Sequence, residues 1–198
     1  MIKARKVAEA QLPTKFGTFK LFGFESDSSS ENVFALVMGD PSAVSKPLVR
    51  IHSQCLTGET FSSSRCDCGE QLEIALQRIS AEGNGILVYQ LAEGRGIGLM
   101  NKLQAYELQD AGHDTVEANH QLGFEADPRS YALCGAVLRH FGLEEIRLLS
   151  NNPRKLAGLE AAGIRHVERI PIEIPPSASS ENYLRTKKDK LGHLLTGV

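Results

Sequence analysis

The stretch "EQLEIALQRISAEGNGILVYQLAEGRGIGLMNKLQAYELQDAG", residues 70–112, decides the fold. Its first part places Leu72, Ala75, Leu76 and Ile79 on one helical face, and Gly83 is a natural helix stop. "GILVYQL" is then a short apolar run of the kind a buried strand carries. The Gly-rich turn "EGRGIG" follows, and "LMNKLQAYELQDAG" aligns Leu99, Leu103 and Tyr106 along a second helix that Gly112 closes. Helix, strand, turn and helix in succession are the unit of an α/β fold.

Before this stretch the pattern is different. "GTFKLFGF" and "NVFALVMGD" are apolar, aromatic and β-branched, are separated by the polar loop "ESDSSSE", and are expected as strands. "KPLVRIHSQ" is expected as a third. After it, "DPRSYALCGAVLRHFG" is expected to open a helix with Asp127 at the N-cap and Pro128 at N1 and to end it at Gly142. "EIRLLS" then reads as a strand, "NPRKLAGLEAAG" as a helix, "HVERIPI" as a last strand, and the tail as ending in a short basic helix. The expected class is α/β: a mixed sheet with helices and antiparallel strands in the N-terminal portion. One catalytic unit is expected over 1–198, with strands mainly in 1–54, strand–helix alternation in 55–174 and a tail over 175–198. No internal repeat is present, and the serine-rich pieces at 28–30, 62–64 and 177–180 read as loops.

The 198 residues carry a formal net charge of -2, so bulk electrostatics draw the chain neither to nucleic acid nor to an acidic membrane. No apolar run approaches the length of a bilayer span. The N-terminal "MIKARKVAEAQLPTKFG" lacks the apolar core of a secretory signal. A cytoplasmic, reducing compartment is therefore expected, and there clustered cysteines favour metal binding or catalysis over disulfides.

Three of the four cysteines lie in "CLTGETFSSSRCDC", residues 55–68. Cys66 and Cys68 flank Asp67, so in an extended segment both sulfurs face the same way, and Cys55 returns across the intervening loop. Thiolates favour zinc. Three ligands leave a fourth position for water, as catalytic zinc requires, whereas a closed structural site would need one more ligand, for which His52 stands three residues ahead of Cys55. Cys134 sits on the apolar face of its helix and reads as a small core residue. "EGRGIG" lies between a strand and a helix, where backbone N–H groups favour phosphate. It is neither a P-loop nor a complete dinucleotide fingerprint, because Leu99 occupies the third glycine's place. A plain tight turn is the other reading. Arg50, Arg95, Arg129 and Lys155 all stand at ends of elements, where the crevice of an α/β sheet lies.

Together, "RIHSQCLTGETF…RCDCGEQL", "EGRGIGLMNKLQAYELQDAGHDTVEAN", "DPRSYALC" and "RLLSNNPRKLAGLEAAGI" resemble GTP cyclohydrolase II, and the likeness covers almost the whole chain. The resemblance implies zinc held by Cys55, Cys66 and Cys68. It implies a GTP site drawn from Arg50, Ile51, His52, Ser53, Gln54, Gln71, Glu93, Gly94, Arg95, Thr115, Ser150 and Lys155. Asp127 matches the family's proposed general base and Arg129 its proposed nucleophile at the α-phosphorus; Tyr106 falls near base and metal. Mg²⁺ accompanies the triphosphate, the products are formate, pyrophosphate and 2,5-diamino-6-ribosylamino-4(3H)-pyrimidinone 5′-phosphate, and the family is a homodimer at the entry to riboflavin biosynthesis. The monofunctional form is expected, with no synthase half ahead of it.

The residues themselves leave milder roles open: an N-cap for Asp127, charge stabilisation for Arg129, whose guanidinium stays protonated, and packing for Tyr106. Departures from the family pattern are Leu91-Ala92 where Arg-Gln is common, Gln54 for Glu, Ser150 for Thr, and "PPSASS" for "GRNP". They motivate two alternatives: a divergent relative feeding another GTP-derived pathway, and a zinc-stabilised nucleotide-binding protein without turnover. Nucleic-acid binding through a zinc module is set aside, since no basic stripe with interleaved aromatics is present.

Overall fold

Seven strands and seven helices make up the computed structural model, which describes residues 2–198. The strands are β1 (Ala4–Thr14), β2 (Gly17–Ser26), β3 (Asn32–Met38), β4 (Leu48–Ser53), β5 (Gly85–Gln90), β6 (Glu145–Leu149) and β7 (His166–Ile170). The helices are α1 (Leu56–Glu59), α2 (Cys68–Glu82), α3 (Leu99–Asp110), α4 (Thr115–Gln121), α5 (Ala132–His140), α6 (Pro153–Ala161) and α7 (Glu181–Leu191). Short 3₁₀ turns lie at Pro41–Ala43 and Glu93–Gly96. The chain divides into two compact units that interleave in sequence. The first comprises Met1–His52, Glu73–Leu91 and Ser130–Ile172; the second comprises Ser53–Leu72, Ala92–Arg129 and Glu173–Val198. No helix among the described residues is long and apolar enough to cross a membrane.

The sheet belongs to the first unit, in the order β1-β2-β3-β5-β4-β6-β7. β1, β2, β3 and β5 pair antiparallel in succession, and β4, β6 and β7 pair parallel. The α/β class and the antiparallel N-terminal strands are as expected. Strand composition follows position. β4 and β5, in the middle, are buried almost throughout, whereas β2 and β3 alternate and turn Phe22, Phe24, Val33, Ala35 and Val37 inward. β1 at the edge exposes nearly every residue. It had no counterpart in the pattern reading, because an edge strand that buries neither face carries no period-two signal.

The core packs these strands against α5 and α6. Leu133, Cys134, Val137 and Leu138 of α5 are buried at helical spacing, and Cys134 is fully enclosed, which pushes its thiol up to about 12. Asn152 caps α6 by accepting from the Arg154 N–H, with Pro153 following in the first turn. α5 and α6 approach closely at Gly135, where an added Cβ would lie 2.4 Å from the Cβ of Ala162. Gly135→Ala is expected to cost about 1–3 kcal/mol by overpacking, lowering Tm by about 2–10 °C. Thermal and urea unfolding measure this, and an unchanged midpoint would show that the helices separate without cost.

Two helical expectations need correction. α5 begins at Ala132, so Asp127 and Pro128 lie in a non-helical segment and Asp127 is not its N-cap. The Asp127 carboxylate is held by Arg129 and is not offered to a first helical turn. In α3 the buried residues are Lys102 and Ala105, while Leu103 is 44% exposed and Met100 75% exposed. The helix therefore presents a different face from the Leu99–Leu103–Tyr106 face expected. α4 follows, its N-terminus fixed by a full capping box between Asp114 and Glu117.

Candidate functional site

The second unit buries opposite charges in pairs. Three ion pairs lie inside it: Lys102–Glu93 at 2.7 Å, Lys187–Asp67 at 2.8 Å and Arg129–Asp127 at 2.7 Å. Taking paired charges out of water is costly, and a fold that does so three times in one small unit holds them for a site.

The cysteines converge here. Cys55 precedes α1, Cys66 lies in the loop after it, and Cys68 is the first residue of α2. The sulfurs meet because a loop and a helix start turn them inward; Cys66 and Cys68 do not lie along an extended segment. Their ligand atoms all fall within 4.8 Å of one another, and among the described residues this group contains no His, Asp or Glu. His52 instead stacks on Tyr89 in the first unit, with ring centroids 5.7 Å apart. Gly58 leaves room for the cluster: a Cβ there would lie 2.8 Å from Cys66 Sγ and 3.3 Å from Cys55 Sγ. The Cys55–Cys66 separation is 3.7 Å, and none of the four cysteines is in a disulfide. Hydrogen bonds from Cys66 and Cys68, with Lys102 nearby, hold the Cys55 thiol well below its ordinary value despite burial. Cys66 and Cys68, as the donors, are pushed up. Three clustered thiols with one already favoured as thiolate suit a soft divalent metal.

A pocket with about 690 Å³ of empty space, its open mouth included, surrounds the cysteines. Among the residues expected to act, Ser53, Gln54, Glu93, Gly94, Arg95, Tyr106, Thr115 and Arg129 line it with the three cysteines. Gly94 and Arg95 both take left-handed backbone, with φ of 60° and 62°, so the turn is strained at a non-glycine residue. Arg95 Nη1 donates to the Ala126 carbonyl. The Tyr106 hydroxyl bonds to Thr57 Oγ1 at 3.1 Å, and the Arg65 guanidinium stacks on its ring. Burial raises the Tyr106 pKa, against the Thr57 hydrogen bond. Arg129 grips Asp127 with Nε and Nη2, each at 2.7 Å, and its Nη1 donates to Ser53 Oγ at 3.2 Å. Burial by itself would raise the Asp127 pKa, but hydrogen bonds and charge from Arg129 hold it below the usual range. Gln71 donates to Asp67 and is not part of the lining.

The other expected residues belong to the first unit and are grouped at the carboxyl ends of the parallel strands β4 and β6. Arg50 Nη1 donates to the Leu149 carbonyl at 2.8 Å, and Lys155 Nζ donates to the Ile51 carbonyl at 2.8 Å. Ser150 Oγ accepts from the Asn152 N–H.

Sequence reading missed Lys102, Arg65, Asn119, Tyr183 and Lys187. The pocket lining includes all but Lys187. Lys187 reaches it through Asp67, between Cys66 and Cys68. A signal for Lys102 existed: Lys102, Ala105, Tyr106 and Gln109 recur at helical spacing, but the leucines nearby outweighed them.

The family model for GTP cyclohydrolase II matches residues 5–171. The chain is 52% identical over 196 residues to a GTP cyclohydrolase-2 of Cronobacter sakazakii, covering 99% of this chain and 100% of that protein. It is 52% identical over 194 residues to a GTP cyclohydrolase-2 of Escherichia coli, covering 98% and 99%. It is also 52% identical over 192 residues to the riboflavin biosynthesis protein RibBA of Chlorobium phaeovibrioides, where it covers 97% of this chain and spans 47% of that longer protein. Likeness at this level to proteins matched over almost their full length bears out the resemblance read from the motifs, and the chain belongs to the GTP cyclohydrolase II family.

Proposed function

We propose that this chain is a hydrolase that opens the imidazole ring of GTP at C8, with release of formate and pyrophosphate, at the entry to riboflavin biosynthesis. The observation that carries the reading is the meeting of Cys55, Cys66 and Cys68 without a fourth protein ligand, inside a pocket lined by cations. In this reading those cysteines hold zinc, and Mg²⁺ accompanies the triphosphate. Zinc bound there supplies Lewis acidity, which makes water nucleophilic near neutral pH. Family membership and the full-length relatives named GTP cyclohydrolase-2 support the activity.

The chain's own groups divide the remaining work. The left-handed turn at Gly94 and Arg95 brings the Arg95 side chain to the pocket lining, a guanidinium suited to phosphate oxygens. Arg129 supplies positive charge for the α-phosphate. A guanidinium stays protonated in proteins, and this one is further engaged in a twofold grip on Asp127, which favours charge stabilisation over nucleophilic attack. Asp127 is the proposed general base, and its pairing with Arg129 holds it as the carboxylate. Ser53, Gln54, Glu93 and Thr115, which line the same pocket, complete the proposed GTP site within the second unit. A homodimer and a cytoplasmic location belong to the same reading, supported by the long exposed edge strand β1 and by the free thiols.

Tyr106 orients the formamide left after ring opening, through a hydroxyl that Thr57 holds in place. Tyr106→Phe keeps the ring and removes the hydroxyl. It is expected to cut formate yield about tenfold or more, with a formylated intermediate accumulating, as for loss of one positioned hydrogen-bonding group. Mass spectrometry of the GTP reaction products tests this. Formate release at the wild-type rate would leave Tyr106 a packing residue, and absence of formate from the wild-type protein would refute the reading as a whole.

A further inference from the structure

We propose that Lys102 is a positioning residue of the three-cysteine site, donating a hydrogen bond to the Cys55 sulfur so that a bound soft divalent metal ion meets a charge-balanced set of thiolates. The inference rests on reading the cysteines as metal ligands. Lys102 Nζ has three donors and three acceptors around it: Cys55 Sγ at 3.3 Å, Thr57 Oγ1 at 2.9 Å and Glu93 Oε1 at 2.7 Å. Its side chain is 11% exposed and that of Glu93 9%, so the ammonium is out of bulk water. The pairing also closes a ring. Glu93 Oε2 accepts from the backbone N–H of Leu56, the residue after Cys55. Lys102 therefore holds the sulfur directly and, through Glu93, the backbone that carries it.

A Lys–Glu pair alone would account for a buried ammonium with one acceptor. It does not account for the third donor aimed at a sulfur, nor for the link from the partner carboxylate to the next residue's N–H. Three thiolates around a divalent ion carry one net negative charge. In a poorly solvated site an adjacent ammonium offsets it, and a hydrogen bond to a coordinated sulfur withdraws electron density from it. Loss of such an outer partner typically weakens metal binding about 10–100-fold.

The test uses the whole protein and reads metal binding without GTP. Zinc affinity is measured by competition with a chromophoric chelator, and the Co²⁺-loaded protein gives the thiolate-to-metal charge-transfer band. Lys102→Met keeps the aliphatic stem and is expected to lower zinc affinity about 10–100-fold. It should also move the Co²⁺ band to lower energy, because the sulfur becomes more electron-rich. Lys102→Arg, which keeps a donor and the charge, is expected to recover most of the affinity and the wild-type band. The double variant Lys102→Met/Glu93→Gln separates the two partners. If Lys102 acts on Cys55, the band stays shifted in the double variant. If it only neutralises Glu93, the band and the affinity return to wild type, and the proposal is overturned. A folded Lys102→Met protein with unchanged affinity and band overturns it as well. A wild-type protein that takes up neither Zn²⁺ nor Co²⁺ would instead refute the metal reading on which the proposal stands.

Discussion

Replacing Cys66 by serine is expected to strip the protein of its zinc, about one ion per chain, and to take formate release from GTP down to background. Structural zinc sites bind with about 10–16 kcal/mol spread over four ligands, so one ligand is worth on the order of 3–4 kcal/mol, a factor of several hundred in affinity. Here no fourth His, Asp or Glu stands in the group to compensate, and Gly58 lies against the Cys66 and Cys55 sulfurs, so the site is fitted to thiols. Cys55→Ser should behave alike, and Cys134→Ser should keep the metal because that side chain is enclosed in the core of the first unit. Metal analysis with separate assays of formate, pyrophosphate and GMP gives the result. Phosphate chemistry that depends on Arg129 should survive in part, so some GMP and pyrophosphate are expected from Cys55→Ser. Full zinc content in Cys66→Ser, with formate at the wild-type rate, would be incompatible with a three-cysteine site.

Arg129→Ala is expected to damage the protein twice. It removes a charge from the proposed α-phosphate site, which typically costs about a hundredfold or more in rate, and both pyrophosphate and formate should fall together. It also leaves the buried Asp127 carboxylate without its bidentate partner, at about 3–5 kcal/mol of stability. Asp127→Asn with Arg129→Ala should restore most of the stability and none of the activity. The pairing also has a pH signature. Because the native Asp127 pKa lies below its unfolded value, near 3.9, the pair's stability is fully present above that value and is lost as pH falls through the lower native one. Arg129→Ala should flatten this acid-side loss in unfolding experiments. Normal diaminopyrimidinone formation by a folded Arg129→Ala protein would remove Arg129 from the reaction; its loop position already shows that it does not serve to start a helix.

Three clustered cysteines, a glycine-rich turn between a strand and a helix, and antiparallel strands followed by alternation are local patterns, and local patterns survive in one dimension. By itself the sequence determined the α/β class, the strands β2 to β7, the helices α2, α5 and α6 in outline, Cys134 as core and the family. The tertiary structure decided what the charges do. Nothing local marks Lys102, Lys187 and Asp67 as buried, yet each is: Lys187 meets Asp67 across 120 positions, and Lys102, paired with Glu93 nine residues before it, also meets Cys55 across 47. Burying a charge is favourable only when a counter-charge is already in place, and no short window of sequence contains both Lys187 and Asp67. The face that α3 turns inward was settled the same way. Leucines at helical spacing predict an apolar seam, but the second unit is built around thiols and carboxylates, so the lysine side was drawn in and Leu103 was left in water.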